Sequence, residues 1–166
     1  MCRSFLSPWY DKEGKAKFYG RVNQGVCTLN LPYVALEAKR DGKDFFEVLD
    51  HYAEICHTAL QHRHGRLLNT AVETSPLHWM YGAISRHDKG TNFNDLLYGG
   101  YRSISLGYAG LYECVQALIG KTHTSGEGKE LGLKILQKLN DYCEEWKEEE
   151  NIGYAVYGTP KLTMGH

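Results

Sequence analysis

The chain has no apolar run approaching the roughly 18–20 residues that a membrane-spanning helix requires. Its first residues also lack the apolar stretch of a signal peptide, so a soluble, cytoplasmic protein is expected. Neither sign of charge dominates. The 19 Lys and Arg stand against 20 Asp and Glu, a formal net charge of -1, which predicts no general attraction to nucleic acid or to an anionic membrane. Paired-cysteine motifs are missing too. The five cysteines, at 2, 27, 56, 114 and 143, are odd in number, widely spaced and free of C-x-x-C. That pattern argues against a zinc ribbon, a thioredoxin-like motif or a disulfide framework. With no internal repeat or linker, 166 residues read as one domain with a real core.

What is present alternates between strand and helix patterns. Val26 to Leu31 alternates and stops at Pro32, reading as a strand. Asp41-Gly42 is a turn signal, and Asp44 precedes Glu47 by three residues, a capping-box arrangement. Phe45, Val48, Leu49, Tyr52, Ile55, Cys56, Ala59 and Leu60 then predict a helix over about 44–63. His51, His57, His62 and His64 fall in or just after it. No two stand at the i, i+4 spacing of a metal pair, so they read as surface or capping histidines. Pro76 to Arg86 reads as a short helix beginning at its favoured proline position.

Tyr101 to Tyr108 alternates again, with Ile104 and Leu106 on one face and Ser103, Ser105 and Gly107 on the other. A small polar strand face looks either onto a ligand or onto a closely packed neighbour. Gly107-Tyr108-Ala109-Gly110 opens a helix that stops at Gly120, and glycines at such a turn can cradle phosphate, although G-x-x-G is a weak signal. Residues 121–128 read as a loop and 129–150 as a third long helix, with Leu131, Ile135, Leu139, Tyr142, Cys143 and Trp146 as its stripe. The acidic run from Glu144 to Glu150 reads as a solvated face. Gly153 to Tyr157 is a final strand running into Gly158-Thr159-Pro160. Strands alternating with helices predict an α/β protein of βα units with a mostly parallel sheet.

Chemistry is expected near the front. Cys27, Cys56, Cys114 and Cys143 occupy strand or apolar-helix positions and read as small buried hydrophobes. Cys2 stands apart, beside Arg3 and Ser4, in a context that packing does not explain. Downstream, Gly20-Arg21-Val22-Asn23-Gln24-Gly25 places glycines on both sides of a polar core, as when backbone takes an unusual shape so that side chains converge.

These stretches carry a resemblance. CRSFLSPW (2–9) followed by GRVNQGVCTLNLPYVAL (20–36) is similar to the catalytic core of the anaerobic (class III, glycyl-radical) ribonucleoside-triphosphate reductases. SPLHWMYGAISR (75–86), LLYGGYRSISLGYAGLYE (96–113) and YAVYGTP (154–160) continue the likeness in order. The resemblance implies an internal piece of a several-fold longer enzyme: one partial catalytic domain, residues 1–166, contributing to a ten-stranded α/β barrel.

By that resemblance, Cys2 is the loop-tip cysteine that becomes a thiyl radical and removes the 3′ hydrogen of a ribonucleotide. Asn23 is the asparagine that hydrogen-bonds the ribose, a role suited to an amide that both donates and accepts without adding charge. Gly158 and Thr159 match a loop near the substrate phosphates. The family also implies a ribonucleoside triphosphate substrate, a radical-SAM activating enzyme, formate as the common reductant and a homodimeric parent. The glycyl radical, a structural zinc site, the effector region and a second cysteine are all expected outside this chain, so no metal or cofactor is expected within it.

Departures temper the match. The glycine usual before the loop cysteine is absent, and Lys161, Leu162 and Thr163 replace the acidic residue and serine expected after the GTP turn. Pyruvate formate-lyase, a different glycyl-radical enzyme, places two adjacent cysteines at the loop tip, whereas Cys2 is followed by Arg3. The remaining alternative is a stand-alone, non-catalytic module of the same fold that binds nucleotide or a partner.

Overall fold

The computed structural model describes residues 6–11 and 13–159. Eight elements follow in order: β1 (Val22–Asn30), α1 (Leu31–Asp41), α2 (Phe45–Gly65), α3 (Pro76–Trp79), β2 (Arg102–Ala109), α4 (Leu111–Ile119), α5 (Gly126–Glu150) and β3 (Gly153–Gly158). Two 3-10 turns, Val72–Thr74 and Asn94–Leu96, lie between α2 and β2. The strands form one parallel sheet in the order β1-β2-β3, and the protein is mixed α/β as expected.

The chain divides into two compact units. One holds the residues up to Gly25 with Leu60–Ser105 and Glu144–Ala155; the other holds Val26–Ala59, Leu106–Cys143 and the residues from Val156. In the first, Val22 N donates to Tyr101 O at 2.9 Å, and a Cβ on Gly153 would come 2.8 Å from the Arg102 carbonyl. In the second, Gly107 lies against Thr28, and Thr159 N donates to Tyr108 O at 2.9 Å. Residue numbers rise together across each pair, which is the parallel register. As the middle strand, β2 is buried without a break from Arg102 to Gly107. Burial on both faces is usual for a parallel central strand.

The first unit has its own apolar cluster. Val72, Phe93, Leu96 and Leu97 are buried, with Leu67, Trp79, Met80, Tyr98 and Tyr101 packed against them. Trp79 and Phe93 stack at 4.4 Å with 17° between the rings. In the second unit α1 packs against α4, and Leu31, Val34, Ala35 and Ala38 form the buried stripe of α1.

Local chemistry explains the helix ends and several departures from expectation. Pro32 does not end the strand so much as begin α1, which the sequence pattern missed. Asn30 Oδ1 accepts from Tyr33 N at 3.2 Å, Pro32 sits in the first turn, and Gly42 closes the helix at φ 63. Asp44 caps α2 as expected, accepting from Phe46 N at 2.8 Å and Glu47 N at 3.2 Å. Within α2, Ile55 and Ala59 are exposed and Ala53 is buried instead, so the inner stripe is narrower than the sequence predicts.

The helix expected over 76–86 stops at Trp79, and Gly82 at φ 93 keeps the chain from resuming it. Helix α5 starts at Gly126, inside the expected loop. Ser125 Oγ accepts there from Gly128 N at 3.2 Å, capping the first turn. Its buried stripe is Ile135, Leu139, Cys143 and Trp146.

Leu106 is fully buried on β2, whereas Leu36 is exposed on α1. Leu106→Ala is expected to cost about 2–5 kcal/mol and Leu36→Ala no more than about 0.5 kcal/mol. Urea unfolding followed by circular dichroism checks the pair, and equal midpoints for the two variants would contradict the placement of the core.

Candidate functional site

In the first unit the glycine-flanked segment converges as its sequence suggests, although Asn23, Gln24 and Gly25 belong to β1 rather than to a loop. Gly20 and Gly25 take positive φ, 71° and 123°. The φ of Gly25 calls for glycine, whereas the Arg63 Nη1 atom that a Cβ would meet at 2.4 Å is the far end of a flexible side chain. Gly25 N donates to Asn23 Oδ1 at 2.6 Å. This fixes the amide plane and turns Nδ2 toward β2, where it reaches Ser105 Oγ at 3.2 Å and Ser103 Oγ at 3.4 Å. Both serines are almost fully buried. The small polar face of β2 therefore looks onto the half-buried Asn23 amide.

The flanking polar residues are used differently. Arg21 Nε donates to Gly100 O at 2.6 Å, and Lys17 Nζ donates to Gly99 O at 2.9 Å while lying over the Tyr101 ring. Gln24 reaches His64, with its Nε2 2.9 Å from Nδ1. His64 is only 4% exposed, so it is a core histidine and not the surface or capping group its sequence context suggests. Burial holds its pKa below the ordinary value. The Glu150 carboxylate pulls upward, and the positive charge of Arg102 pushes further down. The sequence pattern gave no notice of His64, because its spacing matters only once Gln24 is beside it.

In the second unit Gly158 ends β3 and Thr159 follows it. Thr159 spends its N–H on Tyr108 O, and its hydroxyl lies 3.3 Å from Thr28 Oγ1. Gly158 is exposed, and a Cβ there would meet the Tyr108 hydroxyl at 3.2 Å. Gly107 lets these groups approach, since a Cβ on it would come 2.5 Å from Thr28 Oγ1 and 2.7 Å from Val26 Cγ2. The glycine turn before α4 is used for packing: Gly110, at φ 76, approaches the Pro32 ring.

Cys2 lies outside the described residues, as do Lys161, Leu162 and Thr163. The other cysteines are free thiols, with Cys56, Cys114 and Cys143 buried and Cys27 half-buried. Burial pushes the Cys114 thiol up to about 12. Burial first, and then the neighbouring Cys27 thiol, do the same for Cys56, also to about 12. Such thiols are poor nucleophiles at neutral pH. Among the described residues no helix is long and apolar enough to cross a membrane, and no group of three or more His, Cys, Asp or Glu could hold a metal ion.

Comparison with known proteins gives a consistent set of relatives. The family model described as anaerobic ribonucleoside-triphosphate reductase matches residues 1–165. The anaerobic ribonucleoside-triphosphate reductase of Escherichia coli is 36% identical over 166 residues, covering 98% of this chain and 23% of that protein. Its counterpart from Haemophilus influenzae is 37% identical, with the same coverage. That of Enterobacteria phage T4 is 32% identical over 164 residues, covering 96% of this chain and 26% of the relative. The chain thus spans about a quarter of the length of the curated relatives it matches.

Two outcomes test this geometry. Since the native state resists protonating His64, the unfolded chain binds more protons below its ordinary pKa of about 6.5. Stability should therefore fall as pH drops from there toward the lower folded value. His64→Gln should flatten that slope in urea midpoints taken from pH 7.5 to 5; an unchanged slope would show that His64 is not buried neutral. Timed alkylation read by mass spectrometry should modify Cys2 well before Cys56 and Cys114.

Proposed function

The chain belongs to the anaerobic ribonucleoside-triphosphate reductase family, and on that premise we propose that it is a catalytic-core segment of such an enzyme. The activity is reduction of ribonucleoside triphosphates to 2′-deoxyribonucleoside triphosphates. The three-stranded parallel sheet is then part of the family's ten-stranded barrel, and the single partial domain spans residues 1–166. The observation that carries the reading is the Asn23 amide, held by Gly25 N on its oxygen and aligned on Ser103 and Ser105 through its nitrogen. A neutral amide held this way adds no charge beside the sugar and needs little reorganisation, the property expected of a substrate-orienting group.

In this proposal the Cys2 sulfur, as a thiyl, takes the hydrogen atom from C3′, forming S–H and leaving the unpaired electron on the sugar. The 2′ hydroxyl then departs with a proton as water, while Asn23 holds the ribose. Formate gives up its hydrogen together with two electrons, forming the new C2′–H bond, and leaves as carbon dioxide. Cys2 returns its hydrogen to C3′ and is again a thiyl. The family's glycyl radical, on another part of the longer protein, supplies the unpaired electron. Zinc has no role assigned to this segment. Gly158 and Thr159 are proposed to lie near the triphosphate. Because the Thr159 N–H is already engaged, its hydroxyl is the group left for a phosphate. A cytoplasmic, homodimeric parent activated by a radical-SAM enzyme completes the proposal.

The test is made in a full-length reductase carrying this segment. Cys2→Ser should abolish deoxynucleotide formation, because a hydroxyl holds its hydrogen too strongly to relay the radical. Asn23→Ala should lower kcat about 100-fold, the scale of losing one positioned hydrogen-bonding group, with the circular-dichroism spectrum retained. The isolated 166-residue chain should form no deoxynucleotide at all. Full turnover by Asn23→Ala, or product from the isolated chain above a Cys2→Ser control, would refute these assignments.

A further inference from the structure

Among the described residues of the first unit, five buried side-chain atoms lack a hydrogen-bond partner: Arg21 Nη2, His64 Nε2, Glu73 Oε2, Arg102 Nε and Arg102 Nη1. Four of them are nitrogens of Arg or His. Gln24 Nε2 approaches His64 Nδ1 more closely than Gln24 Oε1 does, 2.9 Å against 3.3 Å. In the tautomer in which Nδ1 accepts from Gln24, Nε2 of the neutral ring carries the proton. The three arginine nitrogens can only donate, and the one orphaned acceptor, Glu73 Oε2, is within hydrogen-bond reach of none of them.

Arg102 is the centre of that deficit. It is 2% exposed at the start of the middle strand, and its guanidinium lies 4.8 Å from the Trp79 ring centroid and 5.6 Å from that of Phe93. Stacking on aromatic faces offsets only part of the cost of burying an unpaired ion. Burial depresses its pKa to about 10, with no carboxylate pulling the other way. His64 belongs to the same neighbourhood. Its ring meets Tyr98 edge-on at 5.1 Å, and Tyr98 packs with Trp79 on the cluster that contains Phe93.

We propose that Arg102 anchors a carboxylate-binding site, walled by Trp79 and Phe93 and flanked by the His64 Nε2 donor. A planar guanidinium with free N–H groups matches the two oxygens of a carboxylate. An ordered water could accept from these donors, but it would leave the charge uncompensated. The carboxylate comes either from a small free acid or from an Asp or Glu elsewhere in the longer protein. The site is independent of the roles assigned to Cys2 and Asn23.

Acetate is the probe, titrated into the ¹⁵N-labelled 166-residue chain at constant ionic strength. The Arg102 Nε–H and Trp79 indole N–H cross-peaks should shift together and saturate. In Arg102→Lys, which keeps the charge and loses the fork, the Trp79 shift should need about 10-fold more acetate. In Arg102→Met it should vanish; should that variant not fold, the lysine variant decides. Repeating the titration in a full-length reductase distinguishes the sources. A response there indicates a free acid, and its absence there alone indicates that a side-chain carboxylate already occupies the site. No saturable shift in the folded wild-type chain, or an equal shift in the variants, would mean that water alone satisfies these donors and would overturn the proposal.

Discussion

Strand β2 is buried from Arg102 to Gly107, and this makes every polar atom on it a liability unless another group meets it. An unpaired buried hydroxyl costs about 1–3 kcal/mol. Ser103 and Ser105 avoid that cost by receiving the Asn23 amide, and the same contacts fix the rotamer of Asn23. The residue proposed to orient the sugar is thus held by the need to satisfy its neighbours. Arg102, on the same strand, has no such partner among the described residues. Its strand neighbours are settled within the chain and it is not, which is why it points to a group from elsewhere.

Glycine sets how closely the strands' side chains can approach. Gly107 gives Thr28 and Thr159 room to come within reach of each other, and a methyl group there would press on Thr28 and Val26. Gly25 allows a strand to carry a positive φ beside Arg63 and returns its N–H to Asn23. In each case the absent side chain is what shapes the surroundings.

Much of the architecture was legible because it rests on local rules. The stripe of α2, the Asp44 cap, the Gly120 stop and the alternation of β2 are set by residues within a few positions of one another. Two of the errors were local caps and one was a long-range contact. Pro32 could end a strand or open a helix, and the Asn30 side chain decided it. Gly126 and Gly128 look like loop residues until Ser125 caps the turn they begin. His64 looked like a surface residue because burial depends on Gln24, forty positions away.

The sequence by itself determined the family, the alternating α/β pattern and the identity of Cys2, Asn23, Gly158 and Thr159 as candidates, since long ordered motifs and short-range periodicity are properties of one-dimensional order. Only the tertiary structure decided what Asn23 donates to, that the Thr159 N–H is already taken, that His64 is buried neutral, and that Arg102 lacks an acceptor. Each of these depends on pairs of residues tens of positions apart. Whether a polar group is satisfied is a fact about space, and the order of residues along a chain does not contain it.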